Sequence, residues 1–308
     1  MDYHKLLVLH INNYFSDDMK ELGIKVRWIY RKDHCSTRKW RILKFLGLER
    51  FLLGFSKTDV LKAEYILLCS HMYMSDIVKI ISLWNPSCKI VWFLWDAADN
   101  NVLDYIEEMR DMKNLLIYSY DREDCDRYNL CWHNSAVKKY PVTNTGLKEQ
   151  WDFGCIMMDK GRMPILEKLQ EYFERQGYSY KFIIKKEKHK KYDLYHNIEF
   201  IDKDMPYSQL INYDVSFKCI IDILFKKNTG LSLRAYESIF YDKKLLTNNP
   251  DIKNFDFYHP NNIFVFTENN LDEIAEFMTK QYLPVPESIQ KRYRYEQWLD
   301  DLFKGAFE

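Results

Sequence analysis

The residues of this chain best equipped for chemistry gather around one turn. Positions 226–230 read KKNTG, and Leu231, Ser232, Leu233, Arg234, Ala235, Tyr236 and Glu237 follow. Thr229 and Gly230 leave backbone N–H groups unclaimed and Ser232 is a good helix N-cap, so a helix starting there adds the positive end of its dipole. Such a junction binds phosphate. Arg234 falls in the first helical turn and Glu237 three residues later, so both project from roughly one face while Leu233, Tyr236, Ile239 and Phe240 can face a sheet. A cation and a carboxylate then flank the turn. The same spacing fits an ordinary helix surface pair, but the acid lies C-terminal to the base, the less favourable order.

The elements around the turn are legible from their punctuation. The apolar run CIIDIL at 219–224 is a buried strand, 232–240 an amphipathic helix, and KLLTNN at 244–249 a second strand, a β-turn-α-β unit. A similar unit precedes it. A strand at 153–158 meets the turn Asp159, Lys160, Gly161, Arg162; Pro164 opens a helix with Ile165, Leu169 and Phe173 inward, Gly177 caps it, and YSYKFII forms the next strand. Lys160 and Arg162 thereby stand at the carboxyl end of a strand, the edge where open α/β sheets bind ligands. Alone, the four residues DKGR are equally an ordinary charged turn.

The first half alternates apolar runs (6–11, 24–30, 65–70, 89–95, 114–120) with helical patterns at about 72–84 and 101–112, where Val102, Tyr105, Ile106 and Met109 repeat at helical spacing. This alternation predicts a parallel, doubly wound sheet. NNYFSDD follows the first strand where a dinucleotide-binding domain carries GxGxxG, which argues against a nicotinamide or flavin enzyme. Strand ends here offer His10, Asp17, Asp18, His71, Asp96 and Asp99 as general-base candidates. Asp96, His71 and Asp18 rank first, and each also fits a cap or loop role.

The run TGLSLRAYESIFYDKKLLTNNPDIKNFDFYHPNNIFVF resembles the donor-nucleotide segment of GT-B-fold glycosyltransferases, particularly bacterial enzymes that build capsule, O-antigen and lipooligosaccharide chains. The resemblance covers about 152–270 and extends to the first half only in layout. It implies that Glu237 binds the ribose hydroxyls of a nucleotide, that Gly230, Leu231 and Ser232 supply the amides holding the diphosphate, with Arg234 beside them, and that Lys160 and Arg162 neutralise its charge. Thr229 stands where retaining members carry a first Glu. By this resemblance the chain is α/β, with two Rossmann-like doubly wound domains facing a cleft: an acceptor-side domain at 1–145, a nucleotide-sugar domain at 146–285, and a helix at 286–308 returning toward the first. The implied activity is transfer of a sugar from a nucleotide-diphosphate sugar, UDP-linked by the family's habit, to a growing cell-surface polysaccharide or lipid-linked glycan. Two rivals stay open: a nucleotide-sugar epimerase of the same fold, and a non-catalytic nucleotide-binding partner in a glycan-assembly complex.

Composition bounds these expectations. A chain of 308 residues suits two domains. Lys+Arg 45 balance Asp+Glu 45, so no global field argues for nucleic acid. Seven cysteines without a CxxC pair suggest a reducing cytosol. No apolar run approaches the ~18 residues needed to span a bilayer, and the first residues do not resemble a signal peptide. The DxD triplets at 124–126 and 202–204 lie in contexts that do not suit a cation, so no metal is expected. Fixed cations and helix N-termini can stabilise a leaving diphosphate instead. Residues 25–57 combine many Lys and Arg with Trp28, Trp40, Phe45, Phe51 and Phe55, a pattern for a surface meeting anionic headgroups, or for a core helix with a solvated basic face. The expected setting is cytoplasmic, peripheral to the inner membrane. Pro141 and Gly146, in the weakly periodic stretch 138–150, mark the expected linker.

Overall fold

The computed structural model describes residues 1–10, 16–31, 37–69, 74–96, 98, 100–142, 149–224 and 230–304. Among them, twelve strands form two sheets in which every pairing is parallel. The first comprises β1 (Leu6–His10), β2 (Lys25–Trp28), β3 (Tyr65–Cys69), β4 (Lys89–Leu94), β5 (Leu115–Ser119) and β6 (Cys131–Trp132), in the order β2-β1-β3-β4-β5-β6. The second comprises β7 (Trp151–Met158), β8 (Tyr180–Lys185), β9 (Ile198–Ile201), β10 (Phe217–Asp222), β11 (Lys244–Thr247) and β12 (Ile263–Val265), in the order β12-β11-β10-β7-β8-β9. Parallel strands need crossovers that cover the sheet, and this explains the continuous apolar runs: all of β1 is buried, as is β4 after Lys89.

Crossover helices supply the rest of each core. Helix Met74–Trp84 buries Met74, Ile77, Val78 and Ile81, and helix Asn100–Met109 buries Val102, Ile106 and Met109. In the second sheet, helix Met163–Gln176 buries Leu166, Leu169, Tyr172 and Phe173, with Ile165 at the margin. Gly177 ends it at φ 74°, and the Tyr178 N–H reaches back to the Phe173 carbonyl at 2.9 Å. A glycine here avoids the strain a side chain would suffer.

The chain divides into two compact units, 1–134 with 298–308, and 135–297. The divide falls between Asn134 and Ser135, ahead of the 138–150 stretch that the sequence marks as a linker. Val137 already belongs to the second unit: it is fully buried, and its N–H bonds the Tyr293 carbonyl at 3.2 Å. At the other end, Tyr293 still packs in the second unit against Phe257 and Tyr236. Trp298 begins the return to the first unit. Its indole N–H donates to the Asn134 carbonyl at 2.7 Å and its ring meets Phe93 and Trp95 at 4.9 and 5.3 Å.

In the second sheet the chain starts at the central β7, builds outward to β9, then returns to β10 on β7's other side. The gap between β7 and β10 is therefore the switch point, and their carboxyl ends open a crevice. Within the sheet, β7 carries Gly154 opposite Ile220 of β10, and the ring of Phe217 fills the space where a side chain on Gly154 would lie. A Cβ on Gly154 would lie 2.2 Å from that buried ring. Gly154→Ala is expected to destabilise the second unit by about 1–3 kcal/mol, read as a lower midpoint in urea unfolding.

Candidate functional site

At the end of β7 the backbone turns through two successive left-handed residues, Lys160 (φ 39°) and Gly161 (φ 82°). Asp159 holds this turn. Its carboxylate is 1% exposed and accepts from the Gly161 N–H at 2.9 Å, the Tyr192 hydroxyl at 2.8 Å and the Lys190 ammonium at 3.0 Å. Burial alone would raise this carboxyl, but the bonds from Tyr192, Lys190 and Gly161 offset it and hold the group below the usual carboxylate range. Arg162 follows as the N-cap residue of helix Met163–Gln176. Its side chain is tied to both strands of the switch point, donating from Nη1 to the Met158 carbonyl at 3.0 Å and from Nε to the Ile223 carbonyl at 2.7 Å.

The end of β10 brings the second cation. Arg234, in helix Leu233–Phe240, turns inward under the sheet edge, donating to the Ile156 carbonyl of β7, with Nη1 4.0 Å from Asp222 Oδ1. Arg162 and Arg234 thus engage adjacent residues of one strand end, Ile223 and Asp222. Burial lowers the Arg162 guanidinium from its ordinary value, with the neighbouring Arg234 adding to the effect. Burial acts on Arg234 in the same sense, but Asp222, Glu237 and Asp214 reverse it.

The predicted helix start lies beside this pair. The Ser232 hydroxyl caps its helix by accepting from the Arg234 N–H at 3.2 Å, as its position suggested. Leu231 is 3% exposed and belongs to the core, and the buried Gly230 accepts at its carbonyl from Asn249 Nδ2 at 3.3 Å. Asn248 accepts from the Leu224 N–H at 2.6 Å, so the two residues after β11 hold Leu224 and Gly230. Thr229 lies outside the described residues.

Glu237 is 1% exposed and accepts from the Tyr207 hydroxyl, and its Oε2 has no hydrogen-bond partner among the described residues. Asp214, fully buried, is its neighbour in charge. Burial raises Glu237 above its ordinary value against the pull of Arg234, and raises Asp214 well above its own, with the charge of Glu237 adding to that. Two buried carboxyls acting on each other favour one shared proton. Asp214, Asp222, Tyr207, Asn248 and Asn249 were not singled out in the sequence. A signal existed for Asp222, the one charged residue in the apolar run 219–224.

In the first unit, His10 and Asp96 are the candidate acids and bases whose side chains are among the described residues. Asp96 is exposed just beyond β4, the Asp18 side chain lies outside the described set although helix Ser16–Glu21 contains the residue, and His71 and Asp99 lie outside it altogether. Asp17 shares the position of Asp18. His10, at the end of β1, is 6% exposed against the Trp28 ring at 4.7 Å, and burial followed by the Lys20 charge lowers it to about 4. It is neutral near pH 7. Of the DxD triplets, Asp202 and Asp204 pair with Lys186 and Lys185 at 2.9 and 2.5 Å, and Asp124 accepts from the Ala98 N–H at 2.7 Å.

No protein-family model and no curated protein matches the chain. Solved structures match its fold along nearly its whole length. A UDP-forming α,α-trehalose-phosphate synthase from Burkholderia xenovorans, in complex with glucose-6-phosphate, is similar at TM-score 0.60 and 10% identity, covering 98% of this chain and 99% of that one. The corresponding Burkholderia vietnamiensis protein is similar at 0.56 and 10% identity, over 98% and 97%. The chain has the GT-B fold. In this GT-B chain the second sheet carries the cationic strand ends, and the buried acids lie beneath them.

The acid pair makes a pH prediction. A carboxyl raised in the folded state favours folding at low pH and weakens it as pH rises toward the folded value. Asp214→Asn keeps the shape and removes the charge. The unfolding midpoint of the variant is expected to gain on that of the parent as pH goes from 6 to about 9, measured by urea titration at each pH. A constant difference would show that Asp214 does not titrate there.

Proposed function

We propose that this protein is a glycosyltransferase that moves a sugar from a nucleotide-diphosphate sugar, UDP-linked, to a growing cell-surface polysaccharide or lipid-linked glycan. Its setting in this reading is cytoplasmic and peripheral to the inner membrane, with 25–57 as the membrane-side segment. The observation that carries the donor assignment is the convergence of Arg162 and Arg234 on the carboxyl ends of β7 and β10, at the switch point of the second sheet. The N-terminus of helix Met163–Gln176 and Lys160 add positive potential to the same edge. The solved relatives support a UDP donor by their names, which include a UDP-forming synthase and an E. coli trehalose-6-phosphate structure bound with UDP-2-fluoro glucose at TM-score 0.54, 9% identity and 98% and 96% coverage.

Breaking the bond between sugar and diphosphate leaves negative charge on the departing phosphate. Groups already fixed in place stabilise that charge without reorganising as it develops. Arg162 suits this because two backbone carbonyls fix its direction, and Arg234 because buried carboxylates hold it in its cationic form. The same cations fill the role a divalent ion has elsewhere, so the proposed reaction needs no metal. On the acceptor side, one of Asp96, His71 and Asp18 takes the proton of the attacking hydroxyl. Gly230, Leu231 and Ser232 follow the helix-start amides of the donor site. Glu237, buried with Tyr207 and Asp214, supports Arg234 from below rather than meeting a ribose directly.

Arg162→Ala is expected to weaken UDP binding by about tenfold to a hundredfold, the value of one or two charge-assisted hydrogen bonds. Titration calorimetry with and without EDTA checks this. Equal affinity in parent and variant, or binding that EDTA abolishes, would overturn the donor site or its metal independence respectively. Release of UDP from a UDP-sugar only when a glycan acceptor is added separates transfer from epimerisation and from simple binding.

A further inference from the structure

Half of the large apolar side chains that the described surface exposes fall within one stretch of ten residues. Ile42 is 51% exposed, Phe45 90%, Leu46 57%, Leu48 37% and Phe51 57%, and the other five lie scattered from Leu61 to Leu283. Helix Thr37–Phe45 is apolar on two sides. Trp40 turns inward at 1% exposure, its indole N–H on Asp76 at 3.1 Å, and Leu43 packs on the same core. Ile42, Phe45 and Leu46 face out at helical spacing. A soluble monomer seldom leaves such a cluster uncovered.

The stretch is anchored from below. The Gly47 N–H bonds the Lys44 carbonyl at 3.0 Å and the Leu48 N–H the Leu43 carbonyl at 2.7 Å, with Gly47 at φ 66°, so the helix ends in a closed turn. The 3₁₀ turn Glu49–Leu52 follows, with Leu52 buried and its carbonyl accepting from the Arg31 N–H at 2.9 Å. Phe45, Leu46, Leu48 and Phe51 are thus held outward by the fold.

Cations frame this tip. Lys39, Arg41, Lys44 and Arg50 are exposed between residues 39 and 51, where Glu49 is the sole acid. Lys44 pairs with Asp76, and the Arg50 guanidinium lies 5.7 Å from the Phe51 ring centre. The whole chain has zero formal net charge, so this positive field is local. A second copy would bring the same cations against themselves across a two-fold interface. A bilayer with anionic headgroups instead offers phosphate to the cations and acyl chains to the phenylalanines.

We propose that residues 39–51 form a tip that docks on an anionic lipid bilayer, with Phe45 and Phe51 inserted below the headgroups and Arg41 and Arg50 at headgroup level. The inference rests on the peripheral-membrane setting of the proposed function and assigns its contact to these residues.

Co-sedimentation of the whole chain with vesicles of phosphatidylcholine, or of phosphatidylcholine mixed with phosphatidylglycerol, tests it. The parent is expected to pellet with the mixed vesicles and to detach as salt is raised. Phe45→Ser with Phe51→Ser should weaken partitioning by about a hundredfold, since each phenylalanine forgoes roughly a factor of ten in apolar burial. Arg41→Gln with Arg50→Gln should weaken it on the mixed vesicles only. Failure of the parent to pellet, or undiminished pelleting of the phenylalanine variant, overturns the proposal. So does self-association without vesicles, seen by sedimentation velocity, that the phenylalanine variant abolishes. UDP affinity on the same preparations separates the two readings: lost nucleotide binding with retained pelleting defeats the donor site alone, and the reverse defeats the tip alone.

Discussion

The arrangement of the second unit follows from burying one guanidinium. Arg234 leaves the first turn of its helix and passes under the sheet edge to the Ile156 carbonyl. A cation taken out of water at that depth costs several kcal/mol unless charge and hydrogen bonds are returned to it. Asp222 answers from β10, at 7% side-chain exposure, and Glu237 and Asp214 add their fields. Three acids cannot all be ionised around one cation in a dry interior, so the two deepest are raised and the excess charge is held off as a proton. The unpartnered atoms at Arg234 Nε, Glu237 Oε2 and Asp214 belong to this crowding.

The second guanidinium has a different footing. Arg162 lies on the chain leaving β7, and the turn that delivers it depends on Asp159, whose carboxylate gathers the Gly161 N–H, Tyr192 and Lys190. Its own bonds span the carbonyls of Met158 and Ile223. One arginine is therefore set by interior charge balance and the other by backbone geometry, and both meet the same strand end. Two positively charged groups held beside each other repel, and the fold supplies the opposing energy through Asp222 and through packing. In the proposed donor site, an anionic ligand at that edge would relieve the repulsion.

Much of this was legible in the residues. Parallel sheets bury both faces, so their strands stand out as apolar runs, and Ser232, Pro164 and Gly177 mark helix ends because each satisfies a local backbone need. The cations at 160 and 162 were legible for the same reason, as occupants of a turn after a strand. What escaped was every feature created by tertiary proximity. Helical spacing places Arg234 and Glu237 near one face, and says nothing of whether that face is solvated. Tyr207 and Asp214, which decide the environment of Glu237, lie on a helix some twenty to thirty residues away. The aromatics of 25–57 show the same limit. Trp40 and Phe55 are core, whereas Phe45 and Phe51 are exposed, and composition treats all four alike.

That last contrast bears on how a chain of zero formal net charge can present two cationic places. At the switch point the cations are partly buried and held in fixed directions, Arg162 by backbone carbonyls and Arg234 by a carbonyl and the acids beneath it. At the 39–51 tip they are exposed, and the field spreads over a Debye length of about 8 Å at physiological salt. The first geometry suits a small anion that must be oriented, the second a broad anionic surface that needs no orientation. Burial, more than the number of lysines and arginines, distinguishes them.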